Sequence, residues 1–246
     1  MPRFKLTVEY DGTPFVGWQR QDNGLSVQEV LETAASKYCQ AEIAVAGAGR
    51  TDAGVHALAQ VCHLDIPRDD PPDKVAAALN ALSRPHPVAV LKAEPVAEDF
   101  HARFSAVGRA YEYRIVSRRA PLALDVNRAW WIAHPLDAQA MHDAAQVLVG
   151  RHDFSTFRAA ECQADSAVKT LDALSVTRRG EEIAIAAAAR SFLHHQVRNI
   201  VGTLKLVGEG KWRTRDVERA LEAKDRSRGG QTAPACGLYL TGVRYP

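Results

Sequence analysis

Apolar and polar residues alternate from Phe4 to Tyr10, the period of a strand with one buried face, and Asp11-Gly12-Thr13-Pro14 ends it with turn chemistry. Ser26 then stands as an N-cap before Val27, Val30, Leu31 and Ala34, whose spacing predicts a helix to about Cys39. Ile43 to Ala48 is a short apolar strand and Leu58 to Ile66 another, with a Gly-rich loop between them. Pro71-Pro72-Asp73 opens a helix carrying Val75, Ala78, Leu79 and Leu82, and Pro87 to Leu91 returns as a strand. The order is β-α-β-β-α-β, the ferredoxin-like succession.

The second half repeats that order with insertions. Arg109 to Val116 alternates as a strand, and Asp137 to Val149 places Met141, Ala144, Ala145 and Leu148 on one helical face. Leu171–Arg178 and Ile183–Ala189 form a hairpin across Arg179-Gly180-Glu181, Phe192–Val207 and Thr214–Ala223 are helices, and Leu238–Val243 closes as a strand. No matching sequence repeat accompanies this; the duplication rests on element order alone. The expectation is an α+β protein of two ferredoxin-like halves, residues 1–104 and 105–246, with antiparallel-rich mixed sheets joined around a central cleft. The hinge falls near residues 95–108, where Pro95, Glu98 and Asp99 interrupt the apolar pattern.

Composition adds exclusions. No stretch stays apolar for the ~18 residues a membrane span needs, and Met1-Pro2-Arg3-Phe4-Lys5 lacks the apolar core of a secretory signal. Cys39, Cys62, Cys162 and Cys236 are scattered, which suits reduced thiols in a cytoplasmic protein. A net charge of +2 does not announce a nucleic-acid binder, but the distribution is uneven. Arg109, Arg114, Arg118 and Arg119 face a single acid, Glu112, and a second basic stretch holds Lys211, Arg213 and Arg215. Solvated surface and phosphate contact are both open readings of these stretches.

The candidate chemistry concentrates in Gly49-Arg50-Thr51-Asp52-Ala53-Gly54-Val55-His56. Gly49 and Gly54 permit positive φ, and Thr51 and Asp52 can bond nearby amides. On its own the stretch reads as a capped turn before it reads as an active site. It is not a P-loop, since Val55-His56 stands where Lys-Ser/Thr is required. It is not a dinucleotide fingerprint either, because no helix follows. A metal site on Asp52, His56 and His63 suffers from the strand that carries His63 away from the loop. His194 and His195, adjacent on a helix, point in different directions. No His-Glu-x-x-His or Gly-x-Ser-x-Gly spacing occurs, so neither a metal nor a serine hydrolase is expected.

Gly49 to Ala57, extended by Gln60 and His63, resembles the signature of the tRNA pseudouridine synthase A family. Further blocks follow in family order: Tyr10-Asp11-Gly12 with Gly17-Trp18-Gln19, Arg109 to Ile115, Asp153 to Arg158 with Cys162, Phe192 to Gly202, and Gly237 to Leu240. The resemblance implies a cofactor-free isomerase that converts uridines 38–40 of the tRNA anticodon stem-loop. It assigns the nucleophile to Asp52, a partner cation that keeps that carboxylate ionised to Arg198, and the ring stacking on the uracil to Tyr111. Spacing alone does not separate Tyr111 from Tyr113, which share one strand face. It assigns Leu238 to the lining of the uracil pocket and Arg50 to the displaced strand when the base is flipped. It implies tRNA as partner, no metal, no membrane, and a homodimer whose two subunits touch one tRNA. Lys169-Thr170-Leu171 and Ala233-Pro234-Ala235-Cys236 depart from the family pattern, away from Asp52, Tyr111 and Arg198. The alternatives left by the residues alone are a non-catalytic RNA-binding module and a metal-dependent hydrolase.

Overall fold

The computed structural model describes residues 1–246, which divide into two compact units, Met1–Val107 with Tyr239–Pro246, and Gly108–Leu238. The expected division into 1–104 and 105–246 differs from this at the chain end, because the last strand pairs with a strand of the first unit.

The first unit follows the order β1 (Arg3–Tyr10), α1 (Val27–Cys39), β2 (Ala46–Gly47), β3 (His56–Asp65), α2 (Pro72–Leu82), β4 (Val88–Val96). Strand β1 lies between β3 and β4, antiparallel to both, and β2 pairs with β3. Phe4, Leu6, Val8 and Tyr10 alternate into the core as predicted, and Val30 and Leu31 of α1 and Val75 and Leu79 of α2 are buried with them. Each such side chain contributes on the order of 1.5–3 kcal/mol through burial. Ser26 caps α1 as expected, its Oγ accepting the Glu29 N–H at 3.2 Å.

Strand β2 is shorter than the predicted Ile43–Ala48. Side chains of α1 take the backbone first: Ser36 Oγ accepts the Ile43 amide at 3.0 Å and Glu32 Oε1 the Val45 amide at 3.2 Å. The Gln28 carboxamide donates to the Val45 carbonyl at 3.0 Å. Strand β4, conversely, runs on to Val96 because it pairs with β1 over that strand's whole length. Pro95, taken as a hinge residue, is inside β4, where an edge strand tolerates it. The final strand β10 (Leu238–Arg244) pairs in parallel with the start of β3, Tyr239 opposite His56 and Leu240 opposite Ala57.

The second unit holds β5 (Gly108–Ser117), β6 (Trp130–Ile132), α3 (Ala138–Ala145), β7 (Gly150–Asp153), β8 (Val168–Arg179), β9 (Glu182–Ala189), α4 (Gln196–Gly208) and α5 (Thr214–Ala223). Strand β9 is central between β5 and β8, antiparallel to each. The short strands β6 and β7, missed by the periodicity, add to β5 and β8 at the sides. The first unit carries the β-α-β-β-α-β succession that the pattern predicts; the second inserts β6 and β7 into it, and its expected closing strand, β10, belongs from Tyr239 onward to the first unit, for ten strands and five helices in all. No helix is long and apolar enough to cross a membrane. All four cysteines are free thiols.

Helix α4 starts at Gln196, four residues later than predicted. The Gln196 carboxamide oxygen accepts the Leu193 N–H at 2.8 Å, and the Gln196 N–H donates to the Leu193 carbonyl at 3.0 Å. This local closure competes with helical pairing, and His195 adopts a left-handed φ of 60°. His194 and His195 therefore precede the helix, and their rings lie 4.0 Å apart rather than pointing away from each other.

Candidate active site

In the first unit the loop 49–55 is fastened along both sides. Ahead of it, Ala48 N–H donates to the Val61 carbonyl at 2.7 Å, and the Gln60 carboxamide donates to the Gly49 carbonyl at 3.0 Å. The N-terminal segment grips its centre. Trp18 N–H donates to the Thr51 carbonyl at 3.0 Å, Gly17 bridges to Asp52, and the Tyr10 and Thr51 hydroxyls share a buried bond of 2.8 Å. Gly17 makes this approach at φ +118°, and a Cβ there would lie 2.6 Å from the Thr51 oxygen. Of the two loop glycines expected to take positive φ, Gly54 does, at 75°, and Gly49 does not. The Val55 N–H turns back to the Asp52 carbonyl at 3.1 Å. Asp52 is half-buried at the turn, its neighbour Thr51 is buried, and Arg50 is exposed. The loop is thus a rigid holder for one carboxylate.

His56, buried beneath the loop, stacks on Tyr239 with ring centroids 4.7 Å apart. Its Nδ1 accepts the Gly12 N–H at 3.0 Å, while Asp11 Oδ1 lies 3.2 Å from the same nitrogen. One nitrogen cannot accept from the amide and donate to the carboxylate at once. The amide bond is the better founded, because Asp11 Oδ1 already accepts from Thr13 N–H at 2.9 Å and Thr13 Oγ1 at 2.6 Å. His63 Nδ1 accepts the Ala102 N–H at 3.2 Å. Burial, first, and the neighbouring His101 hold the His63 imidazole below its usual pKa. Both histidines thus spend a ring nitrogen on backbone amides, which removes the sequence-level reason for grouping them with Asp52.

The second unit carries Tyr111, Arg198 and Leu238. Tyr111, half-buried on β5, meets Phe192 edge-on at 5.2 Å. Tyr113, which the spacing could not separate from it, is fully buried, and its hydroxyl donates to the Pro234 carbonyl at 2.7 Å. Burial pushes that phenol above its ordinary range. Arg198, in the first turn of α4, donates from Nε to the Ala233 carbonyl at 2.8 Å, and the Ala233 N–H returns to the Arg198 carbonyl at 3.1 Å. The segment before Leu238 is therefore laced to the helix that bears the arginine, and Leu238 itself is buried.

Sequence reasoning missed the network behind Arg198. Asn199, buried, donates from Nδ2 to the Phe157 carbonyl at 2.9 Å, and its Oδ1 accepts from Thr232 Oγ1 at 2.7 Å and Arg226 Nη2 at 3.0 Å. The signal available was a polar residue on the apolar side of α4. The basic stretch of β5 is less available than its sequence suggests: Arg114 pairs with Glu112 at 2.9 Å and Arg118 with Glu181 at 3.1 Å.

An α+β protein with a rigidly presented aspartate on the first unit, and a partly buried tyrosine and an arginine helix on the second, is what fold and site define. Comparison with known proteins gives the lineage. The family model described as tRNA pseudouridine synthase matches residues 6–105 and 144–246, which include Arg50, Asp52, Arg198 and Leu238 but not Tyr111. A tRNA pseudouridine synthase A of Paramagnetospirillum magneticum is 68% identical over 245 residues, covering 100% of this chain and 96% of the relative. The protein of that name from Rhodospirillum centenum is 65% identical and that from Beijerinckia indica 63%, each over 100% of this chain and over 100% and 95% of the relative. The chain belongs to the tRNA pseudouridine synthase family.

Proposed function

We propose that this protein converts uridines 38–40 of the tRNA anticodon stem-loop to pseudouridine, with Asp52 as the nucleophile. The reaction breaks the N1–C1′ glycosidic bond, turns the uracil and joins C5 to C1′, and the proton lost from C5 is balanced by one gained at N1. It is a redox-neutral isomerisation that needs a positioned carboxylate rather than an electron carrier. The observation that carries the reading is the Asp52 loop, whose anchors at Gly17, Trp18, Thr51 and Gln60 fix the backbone that bears one half-buried carboxylate. Preorganisation of this kind is what covalent catalysis uses.

Tyr111 stacks on the extruded uracil and assists removal of the C5 proton; its half-buried ring supports this over Tyr113, whose hydroxyl is spent on Pro234. Arg198 keeps Asp52 ionised in the closed complex, where desolvation alone would favour its protonated form. Leu238 lines the uracil pocket. Arg50, exposed beside the loop, contacts the strand from which the base is flipped. The protein acts in the cytoplasm, as a homodimer and without cofactor.

The test is chemical mapping of pseudouridine in unmodified tRNA transcripts incubated with wild type and Asp52→Ala. Wild type forms pseudouridine at 38–40 in the presence of a chelator, and Asp52→Ala forms none. Product from Asp52→Ala overturns the nucleophile, and a metal requirement overturns the cofactor-free mechanism. Arg50→Ala raises KM for tRNA more than it lowers kcat.

A further inference from the structure

Residues 101–105 of the first unit form a tight turn closed on itself. The Ser105 N–H donates to the His101 carbonyl at 2.9 Å, and the His101 N–H donates to Ser105 Oγ at 3.0 Å. His101 Nδ1 receives the Arg103 N–H at 3.1 Å. The turn is bolted to the core through Ala102, which is 0% exposed. Its N–H donates to the buried His63 at 3.2 Å, and its carbonyl accepts the Tyr245 hydroxyl at 2.7 Å. Everything around the turn is fixed, yet Phe104 at its tip is 78% exposed. The His101 ring lies 4.4 Å from the Phe104 ring, and the Arg103 guanidinium 5.8 Å from it.

A single exposed apolar side chain is ordinary on a protein surface. This one is different in its company. A phenyl ring held on a rigid turn, beside an imidazole and a guanidinium, offers a flat π-face and a positive charge in one place. That combination fits an unpaired nucleobase with its phosphate, because every base has a face to stack and every nucleotide a charge to neutralise. A protein partner would bury such a ring at the centre of a wider apolar patch, whereas the residues beside Phe104 in this turn are Arg103 and His101. Because the turn is already ordered, little conformational freedom remains to be lost on binding. We propose that Phe104, with Arg103 and His101, is a second RNA contact, stacking on an unpaired base of the tRNA while Arg103 meets the adjacent phosphate. The inference rests on tRNA being the substrate and adds a place on the protein that engages it.

Binding and chemistry are measured separately, by fluorescence anisotropy with labelled tRNA transcript and by pseudouridine formation. Phe104→Ala raises Kd and KM for tRNA at least about fivefold, the scale of one lost base stack, with kcat within about twofold. Phe104→Trp restores affinity to within about twofold, which a loss of folding would not allow. Arg103→Ala lowers the slope of log affinity against log salt by about one. Leu91→Ser removes another exposed apolar residue, 52% exposed on β4, and leaves affinity unchanged. Wild-type affinity in Phe104→Ala overturns the proposal. So does a shift of Phe104→Ala from dimer to monomer with unchanged affinity per site, since the turn is then a protein interface. Wild type that binds tRNA in a Phe104-dependent way but forms no pseudouridine overturns the activity reading and upholds this contact.

Discussion

Tyr113 is fully buried and its hydroxyl donates to the Pro234 carbonyl at 2.7 Å, whereas Tyr111, two residues earlier on the same strand, is only partly buried. The two side chains therefore separate stability from chemistry. Tyr113→Phe removes the bond to the Pro234 carbonyl, and a hydrogen bond of this kind contributes about 0.5–1.5 kcal/mol. Urea unfolding should show that loss for Tyr113→Phe. Turnover should respond at Tyr111. Tyr111→Phe keeps the stacking ring but loses the hydroxyl assigned to proton removal, and kcat should fall about 100-fold, within the usual range for such a group. Equal kcat for Tyr111→Phe and wild type would remove the hydroxyl from the mechanism and leave only the ring.

Among the elements, α4 is tied at its far end by Glu209. Lys205 lies 2.6 Å and His134 2.8 Å from Oε1, and Lys211 3.0 Å from Oε2. Burial by itself would raise this carboxyl, but Lys205, Lys211 and His134 outweigh it and bring it down to about 2. A folded value below the unfolded one means the stabilisation is present above about pH 4.5 and is lost as pH falls toward 2. Its size is at most roughly 3 kcal/mol, and less where the exposed His134 and Lys211 are screened by solvent. Glu209→Gln should lower stability at neutral pH and flatten its fall between about pH 4.5 and 2, measured by thermal unfolding against wild type. The other end of α4 shows what the sequence could not carry. Its apolar spacing marks the helix correctly from Gln196 onward, but the start depends on one carboxamide closing back on Leu193. Likewise, Ile43 and Val45 have strand character, yet Ser36 and Glu32 of α1 claim their amides. Period and propensity were legible where a face is buried; competition from a side chain distant in sequence was not. The candidate site divides the same way. Asp52 and Arg198 stand out through motif resemblance, whereas Asn199, Arg226 and Thr232 interlock only once the chain is folded.

For the molecule as a whole, a net charge of +2 gives little general attraction to RNA, so affinity must come from local cations. Tight tRNA binding should therefore weaken steeply as salt rises, in proportion to the phosphates contacted, and a flat titration would show that phosphate contacts contribute little. The chain end bears on the Asp52 loop more directly. Tyr239 and Leu240 pair with His56 and Ala57, the first residues after that loop, and Tyr239 stacks on His56. Further on, the Arg244 carbonyl accepts the Val107 N–H at 2.8 Å, and the Tyr245 hydroxyl reaches Ala102. The last residues thus complete the first unit although every residue from Gly108 to Leu238 lies between them in sequence. Removing Tyr239–Pro246 takes away the parallel partner of β3 and uncovers His56, while the second unit keeps its own strands and helices. Hydrogen exchange should then quicken selectively at residues 48–63 and 98–107, with the amides of β8, β9 and α4 still protected. Pseudouridine formation should be lost in step with protection at residues 48–57. Retention of that protection in the truncated chain would mean that the N-terminal clamp at Gly17 and Trp18 suffices to hold Asp52 without the closing strand.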